Sequence, residues 1–396
     1  MKNRLVASSI AYLTMLASFS QQKPLFDVYK GYTNTGEESY IEIKDLILEN
    51  YYYDGLTEND LYWASIEGML RHISPPENPS LAQLWTDEEY EKILNSLKGI
   101  KVSLGFGSSF NTNDGSLTVT SLTNGSEAEA KLRLQDRIVR IDGQPLAGKS
   151  VNEVNELLDG DVGQVSNLKV VRDITIFDIA LSRDTLKNEN LIVTRIPGQN
   201  IALIEAKSFS LGISGELERH LFELQSGGTQ SLILDLRNNL GGVLNEGINM
   251  ARLFMKNGDI VLRTQARSKG VQNYSASEGK YPDFKIAILV NENTASASEI
   301  VTSALKDHDR AFIVGKKTFG KGVIENTYTL KNNYRVKFIS NAMYSPKGKS
   351  WQSTGLLPDY FVDQTQSSYN SVAKLSIEER MRSDLHLSTA VKLLNK

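Results

Sequence analysis

Lys285-Ile286-Ala287-Ile288-Leu289-Val290-Asn291-Glu292-Asn293-Thr294-Ala295-Ser296-Ala297-Ser298-Glu299-Ile300 runs from an apolar strand through a polar loop into a helix. Beyond Ser296 the apolar residues Ile300, Val301, Ala304 and Leu305 fall on one stripe, as an amphipathic helix requires. The same design occurs upstream, where Ser231 to Leu236 leads into Arg237-Asn238-Asn239-Leu240-Gly241-Gly242 and another helix. Ile201 to Ala206, followed by a helical pattern around Glu216 to Leu224, extends the series. Alternating strands and helices predict an α/β layered core. Loops at the carboxyl ends of such strands are where open α/β sheets place ligands. Both loops are therefore site candidates.

Outward from this core the pattern changes. Phe26 to Ser96 reads as helical, through Ile41, Ile43, Leu46 and Ile47 and then Leu61, Ile66, Met69 and Leu70, with a break at Pro75, Pro76 and Pro79. Leu97 to Arg183 has short strand-like runs, such as Ser116 to Thr120 and Arg137 to Ile141, set between glycines. It reads as a small, mainly β module. At the start, Lys2 and Arg4 precede a mostly apolar run from Leu5 to Phe19. This fits a secretory signal or an N-terminal anchor over residues 1–20 and predicts export to the periplasm or cell envelope, with membrane association through this segment.

The 396 residues carry 44 basic and 47 acidic side chains, a formal charge of −3, which offers no basic field for nucleic acid. Cysteine is absent, so disulfides, thiolate zinc sites, iron–sulfur clusters and a cysteine nucleophile are excluded together. No metal or cofactor is expected.

Ser296 heads a helix in the order Ser-Ala-Ser-Glu, which suits a capping box with Glu299 as well as a nucleophile. A nucleophile needs a base. His308 lies about 18 Å further along the same helix, and His72, His220 and His386 have no local partners of a triad. Lys321, between Gly320 and Gly322, is the other base available, because a desolvated lysine loses its proton readily and serine–lysine pairs catalyse hydrolysis. A turn lysine is the plainer reading. Gly315 to Lys321 has the spacing of a phosphate-binding loop, but Gly322 replaces the hydroxyl that would hold magnesium. Gly241 and Gly242 let the backbone approach a ligand, and together with the Ala297 amide they are candidates for an oxyanion hole.

The order and spelling of these segments resemble the carboxyl-terminal processing peptidases, a serine–lysine family with an inserted PDZ domain. The resemblance rests on Leu234-Asp235-Leu236-Arg237-Asn238-Asn239 with Gly241-Gly242, Thr294 to Ile300, Ala304-Leu305-Lys306-Asp307, Thr318-Phe319-Gly320-Lys321-Gly322, Tyr344-Ser345-Pro346-Lys347-Gly348 and Gly355-Leu356-Leu357-Pro358-Asp359. It implies a ClpP/crotonase-like core at 184–365, an N-terminal helical region at 21–96, a PDZ domain at 97–183 and a C-terminal helical tail at 366–396. It implies Ser296 as nucleophile, Lys321 as base, and protein or peptide substrates recognised by their carboxyl termini. Leu104-Gly105-Phe106-Gly107, Asp136 to Val139 and Ile141-Asp142-Gly143 carry the PDZ likeness. Either Lys98-Gly99-Ile100-Lys101 or Ser103-Leu104-Gly105-Phe106 forms the loop that holds a terminal carboxylate.

One position departs from the family, which commonly has glutamine four residues after the lysine, where this chain has Glu325. An ionised carboxylate there stabilises the ammonium form and weakens the base, whereas a protonated one mimics the amide. An active enzyme and a non-catalytic peptide-binding protein are both consistent with Glu325. On a regular strand the two residues would lie about 13 Å apart, so contact requires a bend.

Overall fold

The computed structural model describes residues 35–74, 79–187, 189–267, 269–277, 279–373 and 375–396. The signal or anchor expected at 1–20, and Pro75 and Pro76, lie outside the described residues.

The core is a six-stranded sheet ordered Leu191–Arg195, Ile201–Ala206, Ser231–Asp235, Lys285–Val290, Ala311–Gly315, Tyr360–Phe361. The first pair is antiparallel and the rest are parallel. Parallel sheets carry a layer on each face, and alternate side chains sort into the two layers. Leu232, Leu234, Ile286 and Ile288 pack with the helices Ile213–Ser226, Leu244–Arg252 and Ala297–Asp307. Ile233, Ala287 and Leu289 pack with Leu387, Ala390 and Val391 of the helix Leu385–Leu394. Each fully buried Leu or Ile contributes about 1.5–3 kcal/mol. Because Asp235 pairs with Leu289 in parallel register, the loops that follow Asp235 and Val290 emerge side by side.

A second sheet gathers Gln83–Trp85, Val323–Thr329, Arg335–Tyr344, Ile260–Ala266 and Val271–Ser275. Gln83–Trp85 falls in a region whose pattern predicts only helix. Three residues are too few to show strand alternation, and the strand exists because it pairs with Arg335–Lys337. The helices Gly36–Asn50, Glu58–Ile73 and Asp87–Leu97 complete this region, and none of them buries a residue.

A mainly β unit has its own sheet, ordered Phe106–Asn111, Ser116–Leu122, Arg137–Ile141, Val165–Arg172, Thr175–Ser182, around Val119, Ile138, Ile141, Leu168 and Leu181. Ile100–Ser103 pairs with Asp184–Lys187, so the two chain crossings to this unit run together as one ladder.

At the carboxyl end of Ser231–Asp235 lies a buried ion cluster. Arg237, its side chain wholly buried, bridges Asp235 at 2.6 Å and Asp384 at 2.8 Å, with the Tyr369 ring 4.6 Å away. Arg380 holds Glu205 at 3.0 Å, and Lys207 adds a contact to Glu205 at 2.9 Å. Burial by itself would push the Asp235 carboxyl up, but the charge and hydrogen bonds of Arg237 hold it below its ordinary value. Arg380 lies on the helix Ile377–Ser383 and Asp384 caps the junction between it and Leu385–Leu394, so the cluster fastens those helices to the loop that begins at Leu236.

Candidate active site

Ser296 sits where the two loops meet. Asn238 and Asn291 exchange hydrogen bonds, from the Asn238 amide to Asn291 Oδ1 and from Asn291 Nδ2 to Asn238 Oδ1, each at 2.9 Å. The Thr294 hydroxyl donates to the Leu236 carbonyl at 2.9 Å, and the Ala295 amide donates to the Asn239 carbonyl at 3.0 Å. Held on both sides, Ser296 takes φ 56° and ψ −116°, a strained backbone for a residue with a Cβ. Its side chain is half-buried, which leaves the hydroxyl a path to a substrate.

The expected capping box between Ser296 and Glu299 is in place. The Glu299 carboxylate accepts from the Ser296 amide at 2.9 Å, and the Glu299 amide donates to the Ser296 carbonyl at 2.8 Å. Glu299, with 0 % exposure, has a larger task. Its two oxygens also accept from the Thr318 hydroxyl at 2.6 Å, the Gly320 amide at 2.7 Å and the Lys321 amide at 2.8 Å. The amides of Ser296 and Lys321 share Oε2, which places them within about 6 Å of each other. Burial pushes the Glu299 carboxyl above its ordinary value, and the four hydrogen bonds oppose that shift. Nothing in the sequence beyond the cap spacing announces this role.

The Lys321 side chain turns to Glu325, with Nζ 3.0 Å from Oε2 and 3.2 Å from Oε1. The bend that this contact requires is present, because the register of Val323–Thr329 against Arg335–Tyr344 shifts between Ile324 and Glu325. Lys337 Nζ approaches the same carboxylate at 3.5 Å. No hydrogen bond joins Lys321 Nζ to the Ser296 hydroxyl among the described residues. Two further side chains fix the backbone here. Trp351 Nε1 donates to the Lys321 carbonyl at 3.1 Å, and the Gly322 amide donates to Gln352 Oε1 at 2.7 Å.

The glycine loop separates into distinct parts. The Gly241 amide donates to Asn239 Oδ1 at 2.9 Å, so it is already engaged, whereas the amides of Gly242 and Ala297 have no hydrogen-bond partner among the described residues. Gly241 has φ +98°, and a Cβ there would stand 2.8 Å from the Ser296 Cβ and 2.9 Å from the Ala297 amide nitrogen. Gly241→Ala is expected to lower stability by about 1–3 kcal/mol through backbone strain and to cut peptidase activity by at least about a hundredfold through displacement of Ser296. A thermal melt measured beside a peptide-cleavage assay checks both. Activity at the wild-type level would show that the contact is slack.

The two candidate carboxylate loops lie apart. Gly99 closes onto Asn190 and Ser210, and Ile100 opens the connecting ladder. Ser103, Leu104 and Gly105 instead line a cavity of about 200 Å³ together with Ser126, Arg183 and Leu186, and Phe106 starts the edge strand of the β unit. The Ser126 hydroxyl donates to the Gly105 carbonyl at 3.2 Å.

Residues 200–362 match peptidase family S41. Relatives described as "Probable CtpA-like serine protease" include one from Staphylococcus haemolyticus (strain JCSC1435), 29% identical over 86% of this chain and 67% of the relative. Another, from Staphylococcus aureus (strain N315), is 30% identical over 84% of this chain and 66% of the relative. The chain thus spans about two thirds of the length of these relatives. Among solved structures, an S41 protease from Bacteroides fragilis NCTC 9343 aligns with TM-score 0.60 and 18% identity over 89% of this chain and 97% of its own. The photosystem II D1 C-terminal processing protease aligns with TM-score 0.50 and 23% identity over 86% and 91%. At these identities the two structures speak for the fold. Motif order, the matched core and the relatives agree, and the chain belongs to peptidase family S41, a family of serine-type peptidases.

Proposed function

We propose that this protein is an exported endopeptidase that cuts proteins near their carboxyl termini, with Ser296 as nucleophile and Lys321 as base. The observation that carries this reading is the single Glu299 carboxylate that binds the Ser296 and Lys321 amides together. A cap or a turn alone would not join residues from a helix start and a separate glycine bend. In the reaction the neutral Lys321 amine, swung from Glu325 toward Ser296, takes the hydroxyl proton as Oγ attacks the scissile carbonyl. The same proton passes to the leaving amine as the peptide bond breaks, and water then hydrolyses the acyl-enzyme. The amides of Gly242 and Ala297 supply the oxyanion donors.

The unit at 97–183 is read as a PDZ domain that adds the substrate terminus as a strand along Phe106–Asn111, with Ser103 to Phe106 as the carboxylate loop. Export rests on the basic and apolar start at Lys2 to Phe19. Two unfolded substrates that differ only in a free or an amidated carboxyl terminus test the recognition step. Cleavage of the amidated form is expected to fall at least about tenfold, since the terminal charge is lost. Equal rates would remove terminus recognition from the proposal.

The Lys321–Glu325 contact at 3.0 Å favours a second reading, in which the chain binds peptides without turning them over. A wild-type protein that is inert while Glu325→Gln cleaves would support it. Brisk cleavage by wild type at neutral pH would end it.

A further inference from the structure

Glu325 does not face Lys321 alone. Across the second sheet Glu325 is paired with Ile339 and Thr327 with Lys337, so Glu325 and Lys337 are diagonal neighbours on one face of the ladder, within reach of long side chains. Lys337 Nζ stands 3.5 Å from Glu325 Oε1, while Lys321 Nζ holds Oε2 at 3.0 Å. All three side chains are largely covered, at 27 % exposure for Lys321, 12 % for Glu325 and 20 % for Lys337, so their charges are incompletely screened. The Lys337 ammonium is itself placed, 5.3 Å over the Trp85 ring. Trp85 belongs to the short strand that pairs with Arg335–Lys337, and that strand is fastened further by the Arg335–Asp87 ion pair at 2.9 Å and by Arg335 over Tyr90 at 5.4 Å.

We propose that Lys337 is a positioning residue for the Ser296–Lys321 pair: it shares the Glu325 carboxylate and thereby keeps Lys321 from being fixed as the ammonium partner of an undivided anion. The proposal rests on the reading of Lys321 as base. Its physical content is a matter of signs. Glu325 favours the charged form of Lys321, and a second cation at the same carboxylate disfavours it. The remaining neighbours do not reverse this. The Glu299 carboxylate is committed to the Lys321 amide and three other donors, and Trp351 and Gln352 bond only the backbone of Lys321 and Gly322. The departure from glutamine at 325 is thus accompanied by a cation that offsets it. Through Trp85, the segment ahead of the β unit takes part in setting the base.

The test uses the full chain and the pH dependence of kcat/KM on an unfolded protein. In Lys337→Met, and equally in Lys337→Gln, the ascending limb is expected to move to higher pH, leaving about a tenfold loss at neutral pH that alkaline pH restores. In Lys337→Arg the limb stays near wild type, and in Glu325→Gln it moves to lower pH. A limb that stays or moves lower in Lys337→Met overturns the proposal, as does a loss of rate that is uniform across pH. Failure of the underlying reading is separately visible. If Ser296→Ala or Lys321→Ala still cleaves, the pair is not the catalyst, wherever the limb lies.

Discussion

Ser296→Ala and Lys321→Ala are each expected to reduce cleavage of an unfolded protein by about 10⁴- to 10⁶-fold, and the double variant to be no slower than either single one. The non-additivity is the informative part. A nucleophile and its base act on one proton, so removing either leaves the other with nothing to do. No histidine stands ready to substitute. His308 Nε2 is engaged with the Ile260 carbonyl at 2.8 Å, and His386 Nε2 with the Val362 carbonyl at 2.9 Å, where burial holds that imidazole below its ordinary value. Lys321→Arg sharpens the test, because a guanidinium keeps the charge yet cannot give up its proton near neutrality. It should be as inactive as Lys321→Ala. Rates of a singly substituted and a doubly substituted enzyme that multiply would mean that Ser296 and Lys321 contribute independently, and the proposed mechanism would fail.

Glu299→Ala is the second large effect, this time on the fold of the site. Removing the carboxylate orphans the buried Gly320 amide and Thr318 hydroxyl and the part-buried amides of Ser296 and Lys321. A buried donor left without an acceptor costs about 1–3 kcal/mol. Partial relaxation and entering water lower the total, and a loss of about 3–5 kcal/mol is expected, with no measurable cleavage. Glu299→Gln keeps the volume but turns one acceptor into a donor, so an intermediate loss of about 1–3 kcal/mol is expected.

The pH dependence carries a definite sign. Burial raises the Glu299 carboxyl above its ordinary 4.5 in the folded protein, so above that value the unfolded chain ionises first. The stability due to this group is complete below 4.5 and declines as pH rises through the folded value. Denaturant midpoints measured upward from pH 4.5 should therefore fall less steeply in Glu299→Gln than in wild type. An unchanged slope would show that Glu299 is charged at its ordinary value in the fold.

What could be read from sequence follows the range of the interactions involved. The apolar runs Ser231–Leu236 and Lys285–Val290 and their loops are local patterns, and the structure seats them as adjacent parallel strands with both loops at one end. Ser296, Lys321 and the free amides of Gly242 and Ala297 are named by local spelling in the same way. Glu299 was visible only as a cap, because its bonds to Thr318, Gly320 and Lys321 depend on a chain return that no period encodes. Lys337 and Trp85 have no signal at all in their own segments. They matter through the register of strands far apart in sequence, and register is decided by the packed sheet.

The ion cluster behind the glycine loop bears on the order in which the molecule assembles. Arg237 finds half of its compensation two residues away in Asp235, and the other half in Asp384, 147 positions later. Contacts of such separation form slowly, since the intervening chain must close before they return any free energy. Until residues 380–384 arrive, a guanidinium faces the interior with incomplete neutralisation, and that strongly disfavours a closed loop. The strands can gather early, and the turn beside Ser296 is expected to settle only when the distant helices dock. Cleavage activity should accordingly return late in refolding, after the secondary structure; activity that returns together with the secondary structure would refute this order.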